Sequence, residues 1–279
     1  MRRRPCYSIA LATVCAGLMA SSGAARGADE IELRLHSAAL GRDLPYIVVR
    51  PAPERGRGPF PVLYLLHGYD GDYTNWTRKT RLLDLVRSLD LVVVTPDGAN
   101  SWYVNAANGE RWEEYIATDL VAEIEAHQPV IARRRGRAIA GLSMGGYGAV
   151  RIALAHPDRY AIAASVSGAF DITGEDSVFS RKNSPDVLAV FGAPGSQVRR
   201  ANDLFTVVSA ANAAGAPYLW LACGSSDPWL PVNRRLDAAM TSRGLAHEFH
   251  ERPGGHAWDY WDRELPEILA MLQARGFVR

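Results

Sequence analysis

The 279-residue sequence is poor in cysteine, with three residues at positions 6, 15 and 223. Two of these fall in the first fifteen positions, so the rest of the chain carries one thiol and no internal disulfide framework. Cys223 lies in the apolar run PYLWLACG, where a thiol packs as a small hydrophobe. Charge of one sign is not in excess either. The 31 basic and 30 acidic residues leave a formal net charge of +1, which excludes the basic field of a nucleic-acid-binding protein. H-E-x-x-H and closely paired cysteines are missing, so no metal is expected. GLSMGG lacks the lysine of a phosphate-binding loop, and no cofactor is expected. Repeats and low-complexity linkers are absent as well.

Long hydrophobic runs are also lacking. The run CYSIALATVCAGLMA near the N-terminus is too short and too rich in small residues to span a membrane comfortably. It follows the basic MRRRP and precedes SSGAARGA, which together read as a cleaved export signal over residues 1–27. Ala24 and Gly27 both suit the last position of that signal. Cutting after Gly27 removes Arg2, Arg3, Arg4 and Arg26 but no acid, taking the net charge from +1 to −3. The expected mature protein, residues 28–279, is periplasmic or secreted and has no membrane span.

What is present is 48% hydrophobic and 22% charged, the composition of one large globular domain. IELRLHS (31–37) and LPYIVVR (44–50) alternate in the manner of an opening antiparallel hairpin. PVLYLLHG (61–68) and LVVVTPDG (91–98) are continuous apolar runs, as expected of strands buried on both faces. Further strands are predicted at 137–141, 160–168, 216–224 and 245–255. Helical spacing fills 77–89, 113–134, 231–244 and 257–276. Strand–helix alternation predicts an α/β layered domain with right-handed crossovers. Residues 171–200 fit neither period and read as an irregular, lid-like insertion near the site.

Within this pattern, GLSMG (141–145) matches G-x-S-x-G between a predicted strand and a predicted helix. That context marks a strained turn exposing a nucleophile, here Ser143, with glycines where side chains would clash. The alternative is an ordinary helix-capping serine. A serine nucleophile needs a base, and in this arrangement the acid and then the base follow it in the chain. His256, in a loop after the last strand, is the favoured base over His247 and His250, which lie within that strand. Asp227 sits just past an apolar strand, 84 residues after Ser143 and 29 before His256. It is favoured over Asp259, which opens the last helix. The oxyanion hole requires two backbone N–H groups, expected from Met144 and from Tyr69 in YLLHGYDGDYTNW. His67 precedes the acid and is read as shaping that loop. Trp102, Tyr103, Trp229 and Trp258, in strand-end loops, are candidates to line a substrate pocket.

The blocks YLLHGYDGDYTNW, VVVTPDGANSWYVN, AGLSMGGYGAV, VFG, LACGSSD and RPGGHAWDYW occur in an order that resembles the esterase D-like branch of the α/β-hydrolases, over about residues 40–275. That branch includes short-chain acyl, feruloyl and acetyl-xylan esterases, S-formylglutathione hydrolases and mycolyltransferases. The resemblance implies a mostly parallel sheet of about eight strands with helices on both faces. It implies the triad Ser143, Asp227 and His256, with Tyr69 and Met144 as oxyanion donors. The activity it implies is hydrolysis of a small-molecule or carbohydrate-linked ester. Alternatives within the branch are acyl transfer to an alcohol and thioester hydrolysis of the S-formylglutathione type.

Overall fold

The computed structural model describes residues 29–174 and 176–279. The export signal read at residues 1–27 lies outside the described residues. Eight strands form one sheet in the order β1-β2-β4-β3-β5-β6-β7-β8. β1 (Asp29–Ser37) and β2 (Arg42–Arg50) are the expected hairpin, and β2 also pairs antiparallel with β4 (Val92–Pro96). From β4 onward every pairing is parallel, through β3 (Val62–Leu66), β5 (Arg137–Leu142), β6 (Ile162–Val166), β7 (Tyr218–Gly224) and β8 (His247–Arg252).

The parallel strands read as unbroken apolar runs because each has two buried faces. Along β3, Val62, Tyr64 and Leu66 point into one core, and Leu63 and Leu65 into the other. The first core is covered by α3 (Trp112–Glu114), a π turn at Tyr115–Leu120, α4 (Val121–His127), α5 (Met144–Ala155), α8 (Leu204–Ala210) and α9 (Leu230–Arg243). The second is covered by α1 (Asn75–Lys79), α2 (Leu82–Val86) and α10 (Trp258–Ala274). Helices on both faces leave the C-terminal strand ends open, where loops after β3, β5, β7 and β8 meet.

Three expectations are corrected here. The helix predicted over 77–89 is two short helices. Thr80 adopts an extended backbone, its hydroxyl accepts from the Leu82 N–H at 3.2 Å, and Asp262 accepts from the Arg81 N–H at 2.8 Å. The helix predicted over 113–134 ends at His127, because Gln128 precedes a proline and is held extended. The insertion at 171–200 is not wholly irregular. It holds α6 (Pro185–Phe191), with proline in its first turn, and α7 (Gln197–Ala201), whose first turn donates to the Ser196 hydroxyl.

Candidate active site

Ser143 joins β5 to α5 with φ 52° and ψ −116°, a conformation side chains rarely adopt. The backbone is held there from both sides. Its N–H donates to the Val166 carbonyl at 2.9 Å, and its carbonyl accepts from Tyr147 at 3.0 Å and Ala169 at 3.2 Å. The flanking glycines are sterically required. A Cβ on Gly141 would lie 2.4 Å from the Gly145 carbonyl, and one on Gly145 would lie 2.5 Å from the carbonyl oxygens of Leu66 and His67. The elbow is thus packed directly on the end of β3, which supplies the neighbouring loop. The N-terminus of the twelve-residue α5 begins immediately after the serine.

Partners converge on this hydroxyl from two distant loops. His256 Nε2 is 3.0 Å from Ser143 Oγ, and His256 Nδ1 is 3.0 Å from Asp227 Oδ2. An aspartate at Nδ1 fixes the tautomer with the proton there, leaving Nε2 to accept from the serine. The two loops are laced together. Ser226 N–H donates to the Gly254 carbonyl at 2.8 Å, and Ser225 N–H to the Arg252 carbonyl at 2.8 Å. Gly224 allows this approach, since a Cβ there would sit 2.4 Å from the Gly254 oxygen.

Asp227 is buried. Burial pushes its carboxyl pKa up, but the hydrogen bond and charge of His256, the Ser167 hydroxyl and the Trp229 N–H outweigh that, and the net direction is down. It therefore stands ionised opposite the imidazole. Ser167 was not anticipated from sequence. Its hydroxyl also accepts from the Trp261 indole N–H at 3.2 Å. The available signal was a serine–glycine pair ending the strand next to the elbow strand.

Gly68 and Tyr69 line the cavity beside Ser143, and a Cβ on Gly68 would be 2.6 Å from Leu142 and 3.5 Å from the Ser143 Cβ. The loop is pinned from below by His67. Its Nε2 accepts from the Gly98 N–H at 2.9 Å, so its Nδ1 carries the proton and donates to the Gly68 carbonyl at 2.8 Å. His67 is almost fully buried and lies outside the cavity lining, as a loop-shaping residue should.

The cavity holds about 380 Å³, and Trp102, Trp229 and Trp258 line it. Tyr103 does not. It is fully buried beneath the elbow, where its hydroxyl donates to the His67 carbonyl at 3.0 Å and its ring fills the space left by Gly98 and Gly148. Tyr103 and Trp102 share a positive φ, 58° and 56°, yet only Trp102 stands at the cavity wall. Phe179, from the insertion, and Trp261 also line it and were not anticipated.

The rival residues stand elsewhere. His247 pairs with Asp237 at 3.0 Å and His250 with Glu248 at 3.0 Å. Asp259 is exposed and pairs with Arg263 at 3.1 Å. Cys223 is buried in β7, and burial pushes its thiol pKa well up, away from reactivity. Among the described residues no cluster of three or more His, Cys, Asp or Glu side chains is arranged to hold a metal ion.

Comparison with known proteins gives a consistent picture. Residues 37–272 match the family model Esterase, described as "Putative esterase". An acetyl esterase from Caldicellulosiruptor saccharolyticus is 29% identical over 219 residues, covering 76% of this chain and 82% of that protein. The esterase Rv1288 of Mycobacterium tuberculosis is 30% identical over 268 residues; the match covers 86% of this chain but spans only 59% of that protein's length. Among solved structures, the Staphylococcus aureus fluorophosphonate-binding serine hydrolase FphF superposes with a TM-score of 0.79 at 25% identity, covering 88% of this chain and 99% of that one.

Proposed function

This chain belongs to the Esterase family, and from that premise we propose that it is an exported serine carboxylesterase acting on short-chain acyl esters, with Ser143 as nucleophile, His256 as general base and acid, and Asp227 as the orienting carboxylate. The observation that carries the reading is the unbroken relay from Ser143 Oγ to His256 Nε2, at 3.0 Å, and from His256 Nδ1 to Asp227 Oδ2, at 3.0 Å.

In this mechanism the serine hydroxyl gives its proton to Nε2 as Oγ attacks the ester carbonyl. The carbonyl oxygen becomes an oxyanion, received by the N–H groups of Tyr69 and Met144, each such donor contributing on the order of 3 kcal/mol to the transition state. The imidazolium, steadied by ionised Asp227, returns the proton to the departing alcohol oxygen. Water, deprotonated by the same Nε2, then releases the acid from the acyl-enzyme. Short acyl groups are favoured because a cavity of about 380 Å³ walled by Trp102, Phe179 and Trp229 has little room for a long chain. Transfer to an alcohol acceptor or hydrolysis of a thioester would use the same acyl-enzyme. Product analysis with added glycerol, and the rate on an S-acyl substrate, separate these from ester hydrolysis.

Purified Ser143→Ala is expected to lose hydrolysis of 4-nitrophenyl acetate and butyrate, and to lose labelling by a fluorophosphonate probe. Full activity in that variant would end the proposal. Rates across acetyl, butyryl, octanoyl and feruloyl esters should fall as the aliphatic chain lengthens. Export is supported by the N-terminal pattern, and no helix among the described residues is long and apolar enough to cross a membrane. N-terminal sequencing of the exported protein should start at Ala25 or Ala28; retention of residues 1–24 would refute cleavage.

A further inference from the structure

The ring contacts around Ser143 fall into two sets that share no member. One connects Tyr69, Trp102, Phe179 and Trp229, with centroid separations of 5.9 Å, 5.2 Å, 5.6 Å and 6.4 Å between touching pairs. The other runs from Trp76 to Trp258 at 5.8 Å, to Trp261 at 5.1 Å, and from Trp261 to the His256 ring at 5.0 Å, edge to face. The first set contains the oxyanion-loop residue. The second ends on the imidazole. A general acid must touch the atom it protonates, so the alcohol oxygen departs along the second set and the acyl group is left beside the first.

The two walls differ in charge. Arg181 lies 4.8 Å over the Tyr69 ring, but its guanidinium is held between Asp70 at 3.2 Å and Asp186 at 3.2 Å. Asp70, the acid lining the cavity, is further engaged by the Asn100 amide at 2.9 Å. On the other wall, Lys79 Nζ lies 5.0 Å from the Trp258 ring centroid. Among the described residues no carboxylate comes within ion-pair distance of it, and it lines the cavity. It is also one of only two lysines in a chain whose Lys and Arg total 31. An ammonium held over an indole, at the mouth of a cavity and without a counter-charge, is a receptor for an anion carried by a flat group.

We propose that the Trp258–Lys79 edge is the subsite for the alcohol portion of the ester, and that it selects ring-bearing alcohols or phenols that carry a carboxylate. The inference rests on the reading of Ser143 as nucleophile and His256 as its acid. The shared chemistry, a ring with a carboxylate, occurs in both hydroxyaromatic acids and acidic sugars, and the two are tested separately.

In one arm, kcat/KM is measured for 4-acetoxybenzoate against its neutral isostere 4-acetoxybenzamide, each normalised to its hydroxide-catalysed rate. In the other, acetylated glucuronate is compared with acetylated glucose. The charged ester is expected to be favoured about threefold at low ionic strength in at least one arm, the size of an exposed charge pair, and the preference should shrink in 0.5 M salt. Lys79→Gln should bring the ratio toward one, and Lys79→Glu should invert it. Equal ratios in both arms, or a preference that survives Lys79→Gln, would overturn the proposal. A binding measurement keeps this separate from the nucleophile reading. With lysines reductively methylated using 13C-formaldehyde, 4-hydroxybenzoate should shift the signal absent from Lys79→Gln, and 4-hydroxybenzamide should not. If Ser143→Ala still hydrolysed the esters, the nucleophile reading would fail, and this shift, or its absence, would decide the Lys79 subsite by itself.

Discussion

Ser143 and Ser167 end neighbouring parallel strands, and the backbone treats them almost alike. Their φ angles are 52° and 54°, and each donates its N–H one strand over, to Val166 at 2.9 Å and to Ala222 at 2.8 Å. Their surroundings differ. After Ser143 comes a helix with glycines, and the hydroxyl opens into the cavity toward His256. After Ser167 the chain closes over it; the residue is fully buried and its hydroxyl is shared between Asp227 and Trp261. Strain of the backbone therefore does not by itself make a nucleophile. What distinguishes the two is the cavity and the His256 ring facing Ser143; under the proposed mechanism Ser143 attacks while Ser167 positions Asp227.

Glycine substitution breaks the comparison most sharply, because it relieves a positive φ at both sites while removing both hydroxyls. Ser143→Gly should lower kcat by about 10⁶ and Ser167→Gly by about tenfold, reflecting a nucleophile against one hydrogen bond to a charged partner. Initial rates on 4-nitrophenyl acetate measure both. Asp227→Asn should fall between them, near 10⁴, since an amide holds the imidazole in the wrong tautomer.

Stability should move the other way. Ser143→Gly is expected to gain on the order of 1 kcal/mol from relieved strain, read as a raised unfolding midpoint, whereas in Ser167→Gly the lost hydrogen bonds to Asp227 and Trp261 offset that relief. Ser167→Ala, which keeps the strain, should gain nothing. A carboxyl whose pKa is lowered by folding contributes stability above its unfolded value and loses it as pH falls through its folded value. Asp227 is such a group. Removing the Ser167 hydroxyl should raise its folded value toward the unfolded one, so the acid-side loss of thermal stability becomes smaller and is complete at a higher pH, and in Asp227→Asn that loss should flatten. The smallest effect is expected at Cys223, whose buried thiol should resist iodoacetamide in the native protein and react only in denaturant. Labelling of the native protein would show that the core beneath Asp227 opens.

The strand pattern and the elbow are legible because their causes are local. A run such as VLYLL can only be buried on two faces, and glycines at 141 and 145 answer clashes within the same turn. Residues set by distant contacts are harder to read. Tyr103 and Trp102 are adjacent and both aromatic, yet only Trp102 lines the cavity, because Gly98 and Gly148 leave room for the tyrosine ring beneath the elbow. The break between α1 and α2 depends on Asp262, 181 residues away. The helices of the insertion are too short for periodicity and declare themselves only through their caps.

The sequence by itself determined the layered α/β architecture, the strained serine turn, and the chain order in which a histidine and an aspartate follow it. These rest on side-chain periodicity and on glycine's freedom from a Cβ, which act over a few residues. Only the tertiary structure decided that Ser167 supports Asp227, that Tyr103 is scaffold, and that the aromatic residues form two walls with Lys79 over Trp258 on one of them. Those outcomes depend on which loops the sheet order brings to one edge, and side-chain periodicity carries no information about distances between loops far apart in the chain.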